Sequence, residues 1–192
     1  MENQEWQQFR TEIKKQFSTF KELPEYRDRA KHILLDAFDK NGEYSMDVIA
    51  VLRLIRESKS ERATAVAGML AFLWEYEGNY MSCIDALCYL LIANGHDLLD
   101  VIRRKYVKSL EDIRGVDASA KLNFLKEHNF GLLNREEDKK IRNKIAHHYF
   151  MLNDSGRVLI NNKSVDVGSR FNELSSFTHR VFETFCSCLN EC

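Results

Sequence analysis

The sequence predicts an all-α protein, a helical bundle with one small β-hairpin inserted before the C-terminal helix. Three observations predict it. Proline occurs once in 192 residues, and its scarcity favours long, uninterrupted helices. Apolar residues recur at spacings of three and four over most of the chain. The exception follows Phe150, where a β-branched apolar stretch is bracketed by turn residues. Hydrophobic residues make up 44% and charged residues 30%, a balance that allows a core without disulfides or a structural metal.

The elements follow in order. A first helix runs from about Glu5 to Lys21, with Trp6, Phe9, Ile13, Phe17 and Phe20 on one stripe. Pro24 ends it or begins a second helix, about Glu25 to Asp39, which Asn41-Gly42 stops. A third spans about Ser45 to Glu57, with Ser45 as its N-cap. From Glu61 to Glu77 the chain is rich in alanine, so another helix can approach closely. Gly78-Asn79 is expected to break this helix before Tyr80 to Ala93 resumes, and Asn94-Gly95 ends that one. A shorter helix, about Asp97 to Val107, is expected to finish in Arg103, Arg104, Lys105 and Lys108, cations that suit a helix C-terminus. Asp117 to Glu127 and Arg135 to Tyr149 complete the middle. Asn153-Asp154-Ser155-Gly156, Val158-Leu159-Ile160, Asn161-Asn162, Val165 and Val167 read as the hairpin, over about residues 151–167. The last helix, about Ser169 to Leu189, carries Phe171, Leu174, Thr178, Val181, Phe182, Phe185 and Leu189 in a near-heptad stripe, suited to the bundle or to a second copy. The expected division is an N-terminal helical region, residues 1–60, packed on a domain of residues 61–192.

Several function classes lack their signatures. The longest apolar run, Ala86 to Ala93, is far short of the roughly 20 residues of a membrane helix. The acidic, polar start Met-Glu-Asn-Gln-Glu-Trp predicts no signal peptide. Five cysteines read as free thiols of a cytoplasmic protein. Cys186, Cys188 and Cys192 lack metal-site spacing, and no phosphate loop, dinucleotide fingerprint or His-Glu-x-x-His is present. The net charge of −1 excludes nucleic-acid binding by bulk charge alone. Residues 101–150, however, carry 12 basic and 7 acidic side chains.

The chemistry-bearing stretch, Glu136 to Phe150, lies in that basic segment. On an uninterrupted helix Ile141, Ile145, His148 and Leu152 form the buried stripe. Asn143, His147 and Phe150 share a second face, and Arg142, Ala146 and Tyr149 a third. Arginine presents a fixed fork of donors to phosphate, and histidine transfers protons near neutral pH. Together they suffice to cut an RNA phosphodiester without a metal. Five residues turn an ideal helix by roughly 140°, so Arg142 and His147 diverge unless the helix ends or bends between them. A twofold homodimer could gather both pairs in one cleft.

Arg142-Asn143-x-x-Ala146-His147 resembles the signature of the HEPN superfamily, an Arg followed by a polar residue, often Asn, and after four to six residues by a His. Arg27 and His32 share the spacing, but Asp28 and Lys31 break the fuller pattern. The resemblance implies an all-α bundle, usually a homodimer, and a metal-independent endoribonuclease that leaves a 2′,3′-cyclic phosphate and needs no cofactor. Such proteins act in toxin–antitoxin, phage-defence and RNA-processing settings. Arg142 and His147 match the catalytic pair, Asn143 the polar neighbour, and His148 also satisfies the looser spacing. With Tyr149 the pattern becomes Arg-x4-His-x-Tyr, similar to HEPN toxins whose tyrosine is modified with AMP by a nucleotidyltransferase antitoxin. Lys139, Lys144, Arg103 and Arg104 are candidates for tracking the RNA backbone.

Other readings stay open. Asp138 stands four residues before Arg142, the spacing of an ordinary helix ion pair. His148 on the apolar stripe reads as a packed histidine. The segment also suits a non-catalytic module that binds RNA, a nucleotide or a protein, and the aromatic C-terminal stripe suits a helical interaction protein.

Overall fold

A computed structural model describes residues 2–19, 25, 28–29, 32, 50, 53–55, 57, 59–100, 102–153, 155 and 157–191, and these are mostly helical. The expected helices at Glu25–Asp39 and Ser45–Glu57, apart from isolated residues, lie outside the described residues, as do Pro24, Asn41-Gly42, Phe20, Arg27, Asp154, Gly156 and Cys192. The described elements are α1 (Glu2–Thr19), α2 (Glu61–Trp74), a π-helical segment (Glu75–Tyr80), α3 (Met81–Ala93), β1 (Leu99–Asp100), β2 (Lys105–Tyr106), α4 (Leu110–Arg114) and α5 (Ala118–Glu127). A 3-10 turn (Gly131–Leu133), α6 (Glu136–Ala146), β3 (Met151–Leu152), β4 (Val158–Ile160), β5 (Lys163–Val165) and α7 (Val167–Glu191) follow. The chain forms two compact units: Met1–Asp36, Met81–Asn134 and His179–Cys192 in the first, Ala37–Tyr80 and Arg135–Thr178 in the second.

The first unit buries the α1 stripe Trp6, Phe9, Ile13 and Phe17. Phe9 meets Phe130 edge-on at 5.7 Å, and Phe17 meets Phe185 at 5.0 Å. Helix α3 is buried on almost every side, including Cys83 and Cys88, as its apolar run requires. It packs on α4 and α5. Across this packing Lys121 Nζ donates to Asp85 Oδ1 at 2.6 Å, a pairing between residues 36 positions apart.

The described residues between Asp97 and Val107 are not helical. Asp100 is buried, and its Oδ1 accepts from the backbone N–H groups of Ile102 and Arg103, each at 3.0 Å. Such a side-chain turn competes directly with helical hydrogen bonding. The chain then reverses through Arg104, at φ +53°, and pairs Leu99 with Tyr106 and Asp100 with Lys105. Arg103 and Arg104 therefore occupy a hairpin turn, not a helix end.

In the second unit the expected break at Gly78-Asn79 does not occur. Helical structure continues from α2 through the π segment. Phe72, Tyr76 and Tyr80 are all fully buried, with Tyr76 and Tyr80 rings 4.9 Å apart. Burying a large apolar side chain contributes about 1.5–3 kcal/mol, more than the roughly 1 kcal/mol that a helical glycine costs. Asn79 Nδ2 also donates to the buried Glu75 carboxylate at 2.8 Å, four residues back. Helix α2 begins at the N-cap Ser60 and packs on α6. A Cβ added at Gly68 would lie 3.8 Å from the backbone N of Gly168 at the start of α7, the close approach expected of this small-residue helix.

The hairpin after Phe150 is present as a three-stranded antiparallel sheet, ordered β3-β4-β5. Asn161 and Asn162 both take positive φ, the geometry of a two-residue hairpin turn that matches strand twist. Val167 belongs not to the sheet but to α7, where Asp166 Oδ1 accepts from Ser169 N at 2.9 Å as the N-cap. Along α7, Leu174 and Thr178 are buried in the second unit, and Val181, Phe185, Cys188 and Leu189 in the first.

The Lys121–Asp85 pair makes the first prediction. Lys121 is 3% exposed, so Asp85→Ala strands a buried ammonium and destabilises the protein by about 3–5 kcal/mol. The double variant Asp85→Leu/Lys121→Met recovers most of that loss. Urea unfolding of the three proteins checks both outcomes.

Candidate functional site

The candidate site is the C-terminal end of α6 together with the π segment, all within the second unit. Helix α6 opens with Glu136, Glu137 and Asp138 in its first turn, where carboxylates meet the positive end of the helix dipole. Ile141 and Ile145 are its buried anchors. Asp138, 1% exposed, pairs with Arg135, whose guanidinium lies 4.8 Å from the Phe177 ring centre. The alternative Asp138–Arg142 ion pair is not formed.

Arg142 turns instead to Glu77 of the π segment. Its Nε donates to Glu77 Oε1, and Nη2 makes an ion pair with the same oxygen. Its Nη1 donates to Asn143 Oδ1 at 2.9 Å. Tyr76, next to Glu77 in the chain, has its hydroxyl buried and without a hydrogen-bond partner among the described residues. Burial pushes the Tyr76 phenol well above its ordinary value, and the Arg142 cation opposes that rise. Burial likewise pushes the neighbouring Glu75 carboxyl up, against hydrogen bonds from Asn79 and Thr178. Nothing in the sequence pointed to Glu77, which is 65 positions from Arg142.

The helix does not continue to Tyr149. It ends at Ala146, with His147 as C-cap. His148 then adopts φ +58°, His148 N donates to Ile145 O at 3.0 Å, and Tyr149 N donates to Lys144 O at 2.7 Å. This paired arrangement is the left-handed cap that commonly terminates helices. The expected helical faces are consequently lost beyond His147. His148 is exposed, not packed on the apolar stripe, and Leu152 lies in β3. His147 N still donates to Asn143 O at 3.1 Å, so the change of direction comes at His148, after His147, and Arg142 and His147 keep the divergence of a helix. Among the described residues no hydrogen bond joins the two. His147 and Tyr149 are both exposed, their ring centres 6.4 Å apart, and Lys144 Nζ sits 5.2 Å from the Tyr149 ring centre.

The remaining cations are dispersed. Lys139 is half-buried beside Glu136, at 3.6 Å. Arg103 and Arg104 are exposed in the first unit, Arg103 with Asp100 at 3.6 Å. Among the described residues no three His, Cys, Asp or Glu side chains gather as a metal site, and no helix is long and apolar enough to cross a membrane.

The first unit also holds a contact that the scattered spacing of His96 and His128 concealed. Their ring centres are 4.4 Å apart, and His128 Nδ1 lies 2.7 Å from Phe124 O. Burial, then His128 and Lys15, hold His96 below the ordinary imidazole value, while Glu12 and Asp97 oppose them.

Compared with family models, curated proteins and solved structures, the chain matches none.

Two predictions follow from these geometries. His148 occupies a position that favours glycine, so His148→Gly raises unfolding stability by about 0.5–1 kcal/mol, while the β-branched His148→Val lowers it; urea denaturation reads both. For His96, the depressed folded value means that its contribution is complete above 6.5. As pH falls below that, the unfolded chain takes up a proton that the folded chain resists, and stability declines until the lower folded value is passed. The thermal midpoint therefore falls on going from neutral to mildly acidic pH, and His96→Gln flattens that profile.

Proposed function

We propose that this protein is a metal-independent endoribonuclease of HEPN type, a helical bundle acting as a homodimer. The observation that carries this reading is the end of α6. Arg142 and Asn143 stand on its last turns, His147 caps it and Tyr149 follows directly after the left-handed His148. The motif residues thus gather at one helix end, where His147 and Tyr149 are exposed. With Arg142 and His147 divergent on one copy, the twofold homodimer brings the pairs together.

In this reading His147 accepts the proton of a ribose 2′-hydroxyl. The 2′-oxygen attacks the adjacent phosphorus, and the bond from phosphorus to the 5′-oxygen breaks. A histidine of the second copy protonates that leaving oxygen, so the products are a 2′,3′-cyclic phosphate and a 5′-hydroxyl. Arg142 donates to the non-bridging oxygens, whose charge grows in the phosphorane-like transition state. Asn143 fixes one side of the guanidinium. Lys139 and Lys144 on α6 contact neighbouring phosphates, and His148 turns the chain after His147 as its left-handed residue. Tyr149 is 67% exposed, which leaves its hydroxyl reachable for transfer of AMP by a nucleotidyltransferase antitoxin. Neither a metal nor a cofactor enters the reaction.

The test is direct. Purified protein cuts single-stranded RNA in excess EDTA, and a 2′-deoxy nucleotide at the scissile position blocks the cut. His147→Ala reduces cleavage by about 10²–10⁴-fold with an unchanged thermal midpoint. Equal cleavage by wild type and His147→Ala overturns the proposal. RNA binding without turnover, weakened by Arg142→Ala, identifies a non-catalytic HEPN-like module instead.

A further inference from the structure

The guanidinium of Arg142 is held on two sides. A guanidinium carries five N–H donors. Glu77 Oε1 occupies the edge formed by Nε and Nη2, and Asn143 Oδ1 occupies one donor of Nη1. Two donors are thus engaged in hydrogen bonds and Nη2 is in ion-pair contact, which leaves at least one donor on each terminal nitrogen. Two donors on adjacent nitrogens form the fork that matches two oxygens of a phosphate. The two acceptors come from separate elements, Glu77 from the π segment and Asn143 from α6. They fix both the plane of the guanidinium and its rotation within that plane. Glu77 is about half exposed, so its hold on Arg142 is not a buried structural ion pair.

We propose that Glu77 is a positioning residue for Arg142, clamping the guanidinium so that its free fork faces the non-bridging oxygens of an RNA phosphodiester. This rests on the ribonuclease reading above. The clamp has an electrostatic side. The Glu77 carboxylate offsets the Arg142 charge, so a singly charged ground-state phosphodiester gains little from the pair. The gain grows as the second negative charge develops in the transition state. Such an interaction raises kcat and not ground-state affinity.

Glu77→Ala frees the guanidinium and removes the offsetting charge. It is expected to lower kcat by about tenfold or more while KM stays level or falls. Glu77→Gln keeps an acceptor oxygen at the same place and restores most of kcat. Unchanged or increased kcat in Glu77→Ala overturns the proposal, and an increase marks Glu77 as a competitor for the phosphate seat. A second readout needs no activity: the Arg142 Nε–H resonance in 15N NMR is protected from solvent exchange in wild type and Glu77→Gln and rapidly exchanging in Glu77→Ala. If wild type cleaves, His147→Ala does not, and Glu77→Ala behaves as wild type, this inference fails alone. If wild type cleaves nothing, the ribonuclease reading fails, and the exchange measurement alone decides whether the clamp exists.

Discussion

The second unit depends on one constraint, the burial of Phe72, Tyr76 and Tyr80 along a single helical run. Gly78-Asn79 lies inside that run, and breaking there would expose at least one aromatic ring. The chain keeps its rings buried by widening the helix into the π segment Glu75–Tyr80. A wide turn of this kind shifts the residues that follow around the helix, and it recurs at functional sites. Here Tyr76 and Tyr80 point inward while Glu77 stands outward against α6. The same widening that preserves the core therefore supplies Arg142 with its carboxylate.

A second device sets where the candidate site ends. Among the described residues three helices terminate with the same left-handed cap. After α3 the left-handed residue is Gly95, after α5 it is Asn129, and after α6 it is His148. The first two are residues that tolerate positive φ, and Phe130 beyond Asn129 buries its ring as the cap's apolar contact. The third departs on both counts, with an imidazole at the strained position and an exposed Tyr149 stacked under Lys144. A cap built for stability would resemble the other two. The strain at His148 sits beside the residues that carry the motif, where such costs are usually found.

How much of this was legible beforehand follows from the range of each interaction. The α1 stripe, the Asn161-Asn162 turn and the aromatic face of α7 depend on neighbours within a few positions, and the sequence displayed them. The end of α6 was local too, but its signal was missing, because histidine replaces the glycine that announces a left-handed cap. Residues 97–107 were misread because their cations imitate a helix end, whereas one buried side chain, Asp100, captures two backbone donors. Gly78-Asn79 was misread in the opposite sense, since local propensity yielded to burial that only the folded unit supplies. Arg142 and His147 stood out by the residues around their spacing, Asn143 after the Arg and Ala146 before the His, which Arg27 and His32 lack. Glu77, His96 with His128, and Asp85 with Lys121 are partners made by tertiary packing, for which no periodicity exists.

The charge distribution takes on a different meaning once its partners are known. Residues 101–150 hold 12 basic side chains, a count that invites a picture of a broad phosphate-binding surface. Six of them are engaged by carboxylates: Arg103 by Asp100, Lys105 by Asp112, Lys121 by Asp85, Arg135 by Asp138, Lys139 by Glu136 and Arg142 by Glu77. Lys121 is buried besides, and cannot reach a ligand. A surface whose cations are half offset attracts a polyanion weakly at a distance, because long-range attraction follows net charge. It can still donate hydrogen bonds at short range, where orientation decides. The bulk charge of −1 and the basic segment are therefore compatible. If RNA is the ligand, its phosphates are recognised by aimed donors such as the Arg142 fork, and discrimination lies in the geometry of a single phosphodiester, not in the depth of a positive field.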